Sequence, residues 1–192
     1  GISDISISND LFHYGENQEN LARNALEAVN NLNLPGDSIC IEKPIVKDNK
    51  GQKKGEPVVG GGVMFRGRAT ETLTEGLPTK HWTKFNECPY ENLENPQRVH
   101  LDSYGHVHIC QGLSMGNIWK TPLSKLVHNY DGKSHPICAP LIKGGPAQLA
   151  EDYNLFNEET FIDHCHMCFT ARKILLEQFP ELLAPRQVYG LS

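Results

Sequence analysis

Cys165 and Cys168 stand three positions apart in Asp163-His-Cys-His-Met-Cys168. On a helix that spacing brings both side chains to one face. Thiolate pairs of this kind serve zinc sites, iron–sulfur ligation and thioredoxin-like redox motifs, and the pair alone does not choose among them. A redox dithiol sits at a helix N-terminus, where the dipole lowers the thiol pKa. The helix expected here starts at Glu158, about two turns earlier, so a metal is the favoured reading. Two further cysteines stand in settings suited to ligation. Cys88 lies in Asn86-Glu-Cys-Pro89, whose proline removes a competing donor, and Cys110 in Ile109-Cys-Gln-Gly112, at a strand end before a glycine turn. The bland alternative for all of them is a buried small hydrophobe, and for Cys40 and Cys138, both in apolar stretches, it is preferred.

Histidines surround these positions. His106 and His108 alternate on an expected strand and share a face with Cys110, while His164 and His166 flank Cys165. Any one can replace a cysteine on zinc, though a hydrogen-bonded place outside the ligand shell is commoner. Arg66 and Arg68 bracket Gly67 beside the Gly60 to Gly62 run, a pattern that suits a carboxylate or phosphate but that a surface ion pair explains equally. Asp10, Phe12 and His13 follow a strand, where α/β folds place binding groups.

The elements that position these groups are legible in part. Ile-Ser alternation near Asp4 to Ile7 predicts a strand. Leu21, Ala25, Leu26 and Val29 predict a helix ended by Leu34-Pro-Gly-Asp37, and Ser38 to Ile41 predicts a second strand. Strand, helix and strand at this spacing form a parallel βαβ unit. Residues 43–57 are polar and read as a loop. Val99 to Cys110 predicts a hairpin turning through Asp102-Ser-Tyr-Gly105. Short helices are expected at Pro122 to Tyr130, with Leu123, Leu126 and Val127 inward, and at Pro146 to Tyr153. A long final helix is expected from Glu158 to Phe179, ended by Pro180.

Composition narrows the function. With 192 residues, 39% hydrophobic and 21% charged, the chain can bury a core without covalent staples. Six cysteines without a secretion signal favour thiols in a reducing, cytoplasmic compartment over disulfides. A net charge of −5 with scattered basic residues gives no footprint for nucleic acid, and no apolar run approaches a membrane span. The chain opens Gly1-Ile-Ser-Asp4 without Met and reads as strand almost at once, so it is expected to be the downstream part of a longer protein.

Taken as one string, Glu87-Cys-Pro-Tyr-Glu-Asn-Leu93, Arg98-Val-His-Leu-Asp-Ser-Tyr-Gly105, His108-Ile-Cys-Gln-Gly112, Gly116-Asn117, His135-Pro-Ile, Gly144-Gly-Pro146 and Cys165-His-Met-Cys168 resemble the C-terminal region of radical SAM proteins with a SPASM or twitch-like cysteine-rich extension. Ile7-Ser-Asn-Asp-Leu-Phe-His13 and Gly61-Gly-Val-Met-Phe-Arg-Gly-Arg-Ala69 look like late barrel segments of the same group. The resemblance implies an α/β fold: the C-terminal part of a βα barrel over residues 1–80, then a small irregular α+β cysteine-rich region over residues 81–192. It implies that Cys88, Cys110, Cys165 and Cys168 hold an auxiliary [4Fe-4S] cluster, with structural zinc in a protein-interaction module as the alternative. Asp10 and His13 would line a cavity of the barrel, with Arg66 and Arg68 as further cofactor-binding candidates. The missing upstream barrel would be the partner of this chain, and the substrate stays open. The Cys-x-x-x-Cys-x-x-Cys motif of the radical-generating cluster is absent, as is the glycine-rich methionine-binding segment. The 192 residues alone are therefore not expected to cleave S-adenosylmethionine. A thiol oxidoreductase using Cys165 and Cys168 is the last alternative.

Overall fold

A computed structural model describes residues 4–9, 21–39 and 63–191. Asp10, His13, Cys40 and Gly60 to Gly62 lie outside the described residues. The chain divides into two compact units, the described parts of which are 4–9, 21–39 and Val63 in the first and 64–191 in the second. The sequence-based boundary at residue 80 and this division fall at different places, since Met64 to Thr79 belongs with the second unit. The fold is mixed α/β, with small sheets and five α-helices among the described residues. No sheet among those residues closes into a barrel. No described helix is long and apolar enough to cross a membrane.

In the first unit, β1 (Ile5–Ser8) pairs in parallel with β2 (Gly36–Ile39), Ile5 opposite Gly36 and Ser8 opposite Ile39. Helix α1 (Leu21–Asn31) crosses between them and buries Ala22 and Val29. The expected strand–helix–strand order is thus present, with β2 starting two residues early. Asn33 ends α1 in the left-handed conformation (φ 50°) that asparagine tolerates. Leu34 N–H reaches the Val29 carbonyl at 3.0 Å and Asn33 N–H the Asn30 carbonyl at 3.1 Å, which satisfies carbonyls that a helix end leaves without partners. A side chain at Gly36 would press on Val29 Cγ1 at 2.8 Å, so glycine lets the helix lie close to the strand.

The second unit holds α2 (Ala69–Thr72), a two-stranded antiparallel sheet of β3 (Lys80–His81) and β7 (Thr160–Phe161), and a three-stranded antiparallel sheet of β4 (His100–Leu101), β5 (His106–Cys110) and β6 (Leu113–Asn117). Helices α3 (Leu123–Asn129), α4 (Cys138–Tyr153) and α5 (His164–Ile174) complete it. One core joins them: Ile109 and Leu113 from the sheet, Ile137, Leu141 and Leu149 from in and beside α4, and Met167, Phe169 and Leu176 from in and beside α5.

Four expectations need correction. The β4–β5 hairpin forms as expected, but bulges on either side of His108 break the alternation, so Val107, His108 and Ile109 are all buried and the shared face of His106, His108 and Cys110 is not regular. Helix α3 turns Leu126 inward against Gly116, while Leu123 and Val127 are 45% and 49% exposed. Helix α4 starts at Cys138, not Pro146, and bends at Gly144 and Gly145, with Pro146 opening its second half where a missing N–H is harmless. The last helix starts at His164, not Glu158, because Thr160 and Phe161 pair with β3 as a strand and Asp163 then caps α5, accepting from His166 N–H at 2.7 Å.

Candidate metal centre

Three distant segments deliver four thiols to one place. Cys110 ends β5 where Gly112, at φ 79°, turns the chain. A side chain at Gly112 would strike Tyr189, whose hydroxyl donates to the Gly112 carbonyl at 2.8 Å. Cys88 is held from the other side. Gly145 at the bend of α4 lies so close to the backbone of Asn86 and Glu87 that a Cβ would collide with it. The bend also releases the Ala147 N–H, which donates to the Phe85 carbonyl at 2.9 Å. Cys165 and Cys168 come from the first turn and a half of α5, fixed by the Asp163 cap.

All four cysteines line a single cavity of about 30 Å³, with Met64, Leu141 and Pro146 as apolar wall and Arg66, Arg172, Glu87, Tyr90, Glu91 and His164 around it. None of the five described cysteines is in a disulfide. As the side chains lie, no group of three or more His, Cys, Asp or Glu among the described residues is close enough to hold an ion. The thiols are near enough for charges on Cys110, Cys165 and Cys168 to act on one another, and Cys88 on Cys168.

Burial pushes the Cys165 thiol up to about 12, with Asp163 adding to the effect and Arg66 opposing it. Burial likewise pushes Cys168 up to about 11 against the pull of Arg172. Desolvation therefore outweighs the favourable position at a helix N-terminus. Both groups are neutral thiols at pH 7, the reverse of what a redox dithiol needs. Cys138, read from sequence as a small buried hydrophobe, is fully buried in the core, its thiol pushed up to about 12 by burial, and it does not line the cavity.

Two arginines flank the thiols. Arg66 Nη1 donates to Cys110 Sγ at 3.2 Å. Arg172 is 1% exposed. Its Nη1 donates to the Gln111 carbonyl at 2.8 Å and its Nε to the Cys168 carbonyl at 3.3 Å, and it lies 6.0 Å from the ring centres of Phe169 and Tyr189. Arg172 falls on the apolar stripe of the expected final helix, where the sequence alone suggests no role for it. A charged residue inside such a stripe was the signal available. Arg68 does not line the thiol cavity: it is exposed at the start of α2, whereas Arg66 lines it.

The histidines take other roles. His108 is buried, and its Nε2 lies 2.9 Å from Asp102 Oδ2, with Asp102 Oδ1 also accepting from the Tyr104 and His106 N–H groups at 2.9 Å each. Burial lowers the His108 pKa below the ordinary range. This pair faces a second, wider cavity of about 410 Å³ that shares Arg66 and Glu91 with the first. His166 Nδ1 accepts from Ile162 N–H at 3.3 Å and its ring meets Phe161 edge to face, while His164 lines the thiol cavity and packs edge to face on Phe85.

Comparison of the chain with models of known protein families, with curated proteins and with solved structures finds no match in any of the three.

Proposed function

We propose that this chain carries a four-thiolate metal centre held by Cys88, Cys110, Cys165 and Cys168. In keeping with the motif resemblance, we read it as an auxiliary [4Fe-4S] cluster in the C-terminal part of a radical SAM enzyme. The observation that carries the reading is the convergence of four thiols, up to 80 positions apart in sequence, on one shared cavity. The donor set fits: sulfur suits iron–sulfur clusters and zinc alike, and a closed set of four thiolates is typical of both. The surroundings fit as well, since part of the wall is apolar and two guanidiniums lie beside the sulfurs. The raised pKa values of Cys165 and Cys168 mean that binding there would release protons, as metal–thiolate formation does generally.

In the intact enzyme a bound cluster, with each iron closed by a thiolate, would supply electron relay. This chain's own residues would orient it: Asp163 and Arg172 fix α5, Gly112 and Tyr189 fix the turn after Cys110, and Gly145 seats the segment before Cys88. The parallel β1–α1–β2 unit supports a βα-barrel origin for the N-terminal part. Structural zinc is the second reading, favoured by the size of the cavity, about 30 Å³, which is nearer to one ion than to a cluster, although the thiols must still close in to ligate it.

Anaerobic reconstitution with iron and sulfide, alongside zinc loading, tests the proposal. About four iron and four sulfide per chain support the cluster, and about one zinc without sulfide supports the structural ion. Single Cys→Ala changes at 88, 110, 165 and 168 should each cut metal content, and Cys138→Ala should not. A wild-type chain that takes up neither metal, or a metal content indifferent to all four changes, overturns the centre.

A further inference from the structure

We propose that Arg172, together with Arg66, is the built-in counter-charge of the four-thiol centre and holds it as a dianion made electrically neutral inside the protein; this rests on the metal-centre reading above.

The guanidinium of Arg172 is almost wholly removed from water and lines the thiol cavity. Among the described residues no carboxylate comes within ion-pair distance of it. Two backbone carbonyls and two aromatic faces are its other partners. Burying a cation with nothing but dipoles around it is costly, and breaking up such a site by removing its anion is more so. Its guanidinium shares the cavity wall with Cys88, Cys110, Cys165 and Cys168, the four proposed ligands.

The carboxylates near the cavity are otherwise engaged or lie at its rim. Asp163 caps α5, Glu91 receives Arg98 at 3.1 Å, and Glu87 lines the wall. Arg66 points its Nη1 at Cys110 Sγ. Four thiolates around a divalent ion carry a net charge of about −2, and so do four thiolates around a [4Fe-4S] core in its common state. Two guanidiniums match that charge. Opposed charges in a water-poor site interact strongly, so the arginines favour the ionised thiolate set over the neutral thiols and ease the addition of one further electron.

A purely structural role for Arg172 would join the Gln111 turn to α5 through the two carbonyl bonds, and the experiment separates the two roles. Full-length wild type, Arg172→Lys, Arg172→Gln and Arg66→Gln are titrated with Co2+, followed by Zn2+ competition, and the iron- and sulfide-loaded proteins are titrated for midpoint potential. The counter-charge predicts at least tenfold weaker Co2+ binding in both Gln variants, with Arg172→Lys close to wild type. It also predicts a midpoint potential lowered by at least about 59 mV in the Gln variants, the one-electron equivalent of a tenfold change. Equal effects of Lys and Gln at 172, with Arg66→Gln unchanged, overturn the counter-charge while leaving the centre standing. Wild type that binds no Co2+ through thiolates overturns both. Should Arg172→Gln fold poorly, Arg66→Gln on the half-buried side still decides, since its partner is the sulfur itself.

Discussion

Replacing Gly145 by alanine should do two things at once: weaken the fold and pull Cys88 away from its three companions. The residue stands at φ 63°, where a Cβ meets the following carbonyl at a cost of about 1–2 kcal/mol. The added methyl would also collide with Glu87 N and its neighbours, so the Asn86–Glu87 backbone has to retreat and the Ala147 to Phe85 hydrogen bond is lost, a further loss of about 1 kcal/mol. Together these destabilise the chain by roughly 2–3 kcal/mol, equivalent to a Tm lower by roughly 5–10 °C for a chain of this size. Urea titration gives the first quantity and differential scanning calorimetry the second. The displacement of Cys88 is read separately, as faster alkylation of that thiol under native conditions and loss of one sulfur from the Co2+ spectrum. A stability within about 0.5 kcal/mol of wild type together with unchanged Cys88 reactivity would refute the role given to the α4 bend.

Other outcomes follow from single contacts. Tyr189→Phe removes the donor to the Gly112 carbonyl and should cost about 1 kcal/mol in urea melts while leaving the stacking on Phe169, 5.1 Å between ring centres, in place. Met167→Ala, at a fully buried core position, should cost about 2–5 kcal/mol by the same measurement. His135 Nδ1 accepts from the Ile137 and Cys138 N–H groups at the start of α4, and burial lowers its pKa. A folded-state pKa below the unfolded value means stability is present above the ordinary histidine range near 6.5 and is lost as pH falls through and below it. Thermal melts between pH 7.5 and pH 5 should therefore show a decline that His135→Asn, which keeps an acceptor and does not titrate, makes shallower. An unchanged slope in that variant refutes the assignment.

The sequence made the βαβ opening legible because Ile-Ser alternation and the apolar spacing of Leu21 to Val29 carry the two periodicities directly. It also marked the cysteines that reach one cavity, through the spacing of the Cys165 and Cys168 pair and the settings of Cys88 beside Pro89 and Cys110 before Gly112. Helix limits were less legible. Glu158 to Phe179 reads as one amphipathic run, and nothing local reveals that Thr160 and Phe161 pair with Lys80 and His81, some 80 positions away. Asp163 was a legible cap once that pairing was known. Strand β6, Leu113-Ser-Met-Gly-Asn117, has no clean alternation, because Ser114 is buried and Gly116 makes room for Leu126. The inward turn of Arg172 is likewise a tertiary fact: an arginine on an apolar stripe ordinarily extends to solvent, and only the meeting of α5 with the Gln111 turn keeps it inside.

The scattering of the thiols along the chain dictates an order of events during synthesis. Cys88 and Cys110 leave the ribosome well before Cys165 and Cys168, and at about 5–20 residues per second they wait several seconds as an open pair. For the proposed centre, a delivery system that acted on the nascent polypeptide would meet only half a nest, so its loading would wait until α5 has docked.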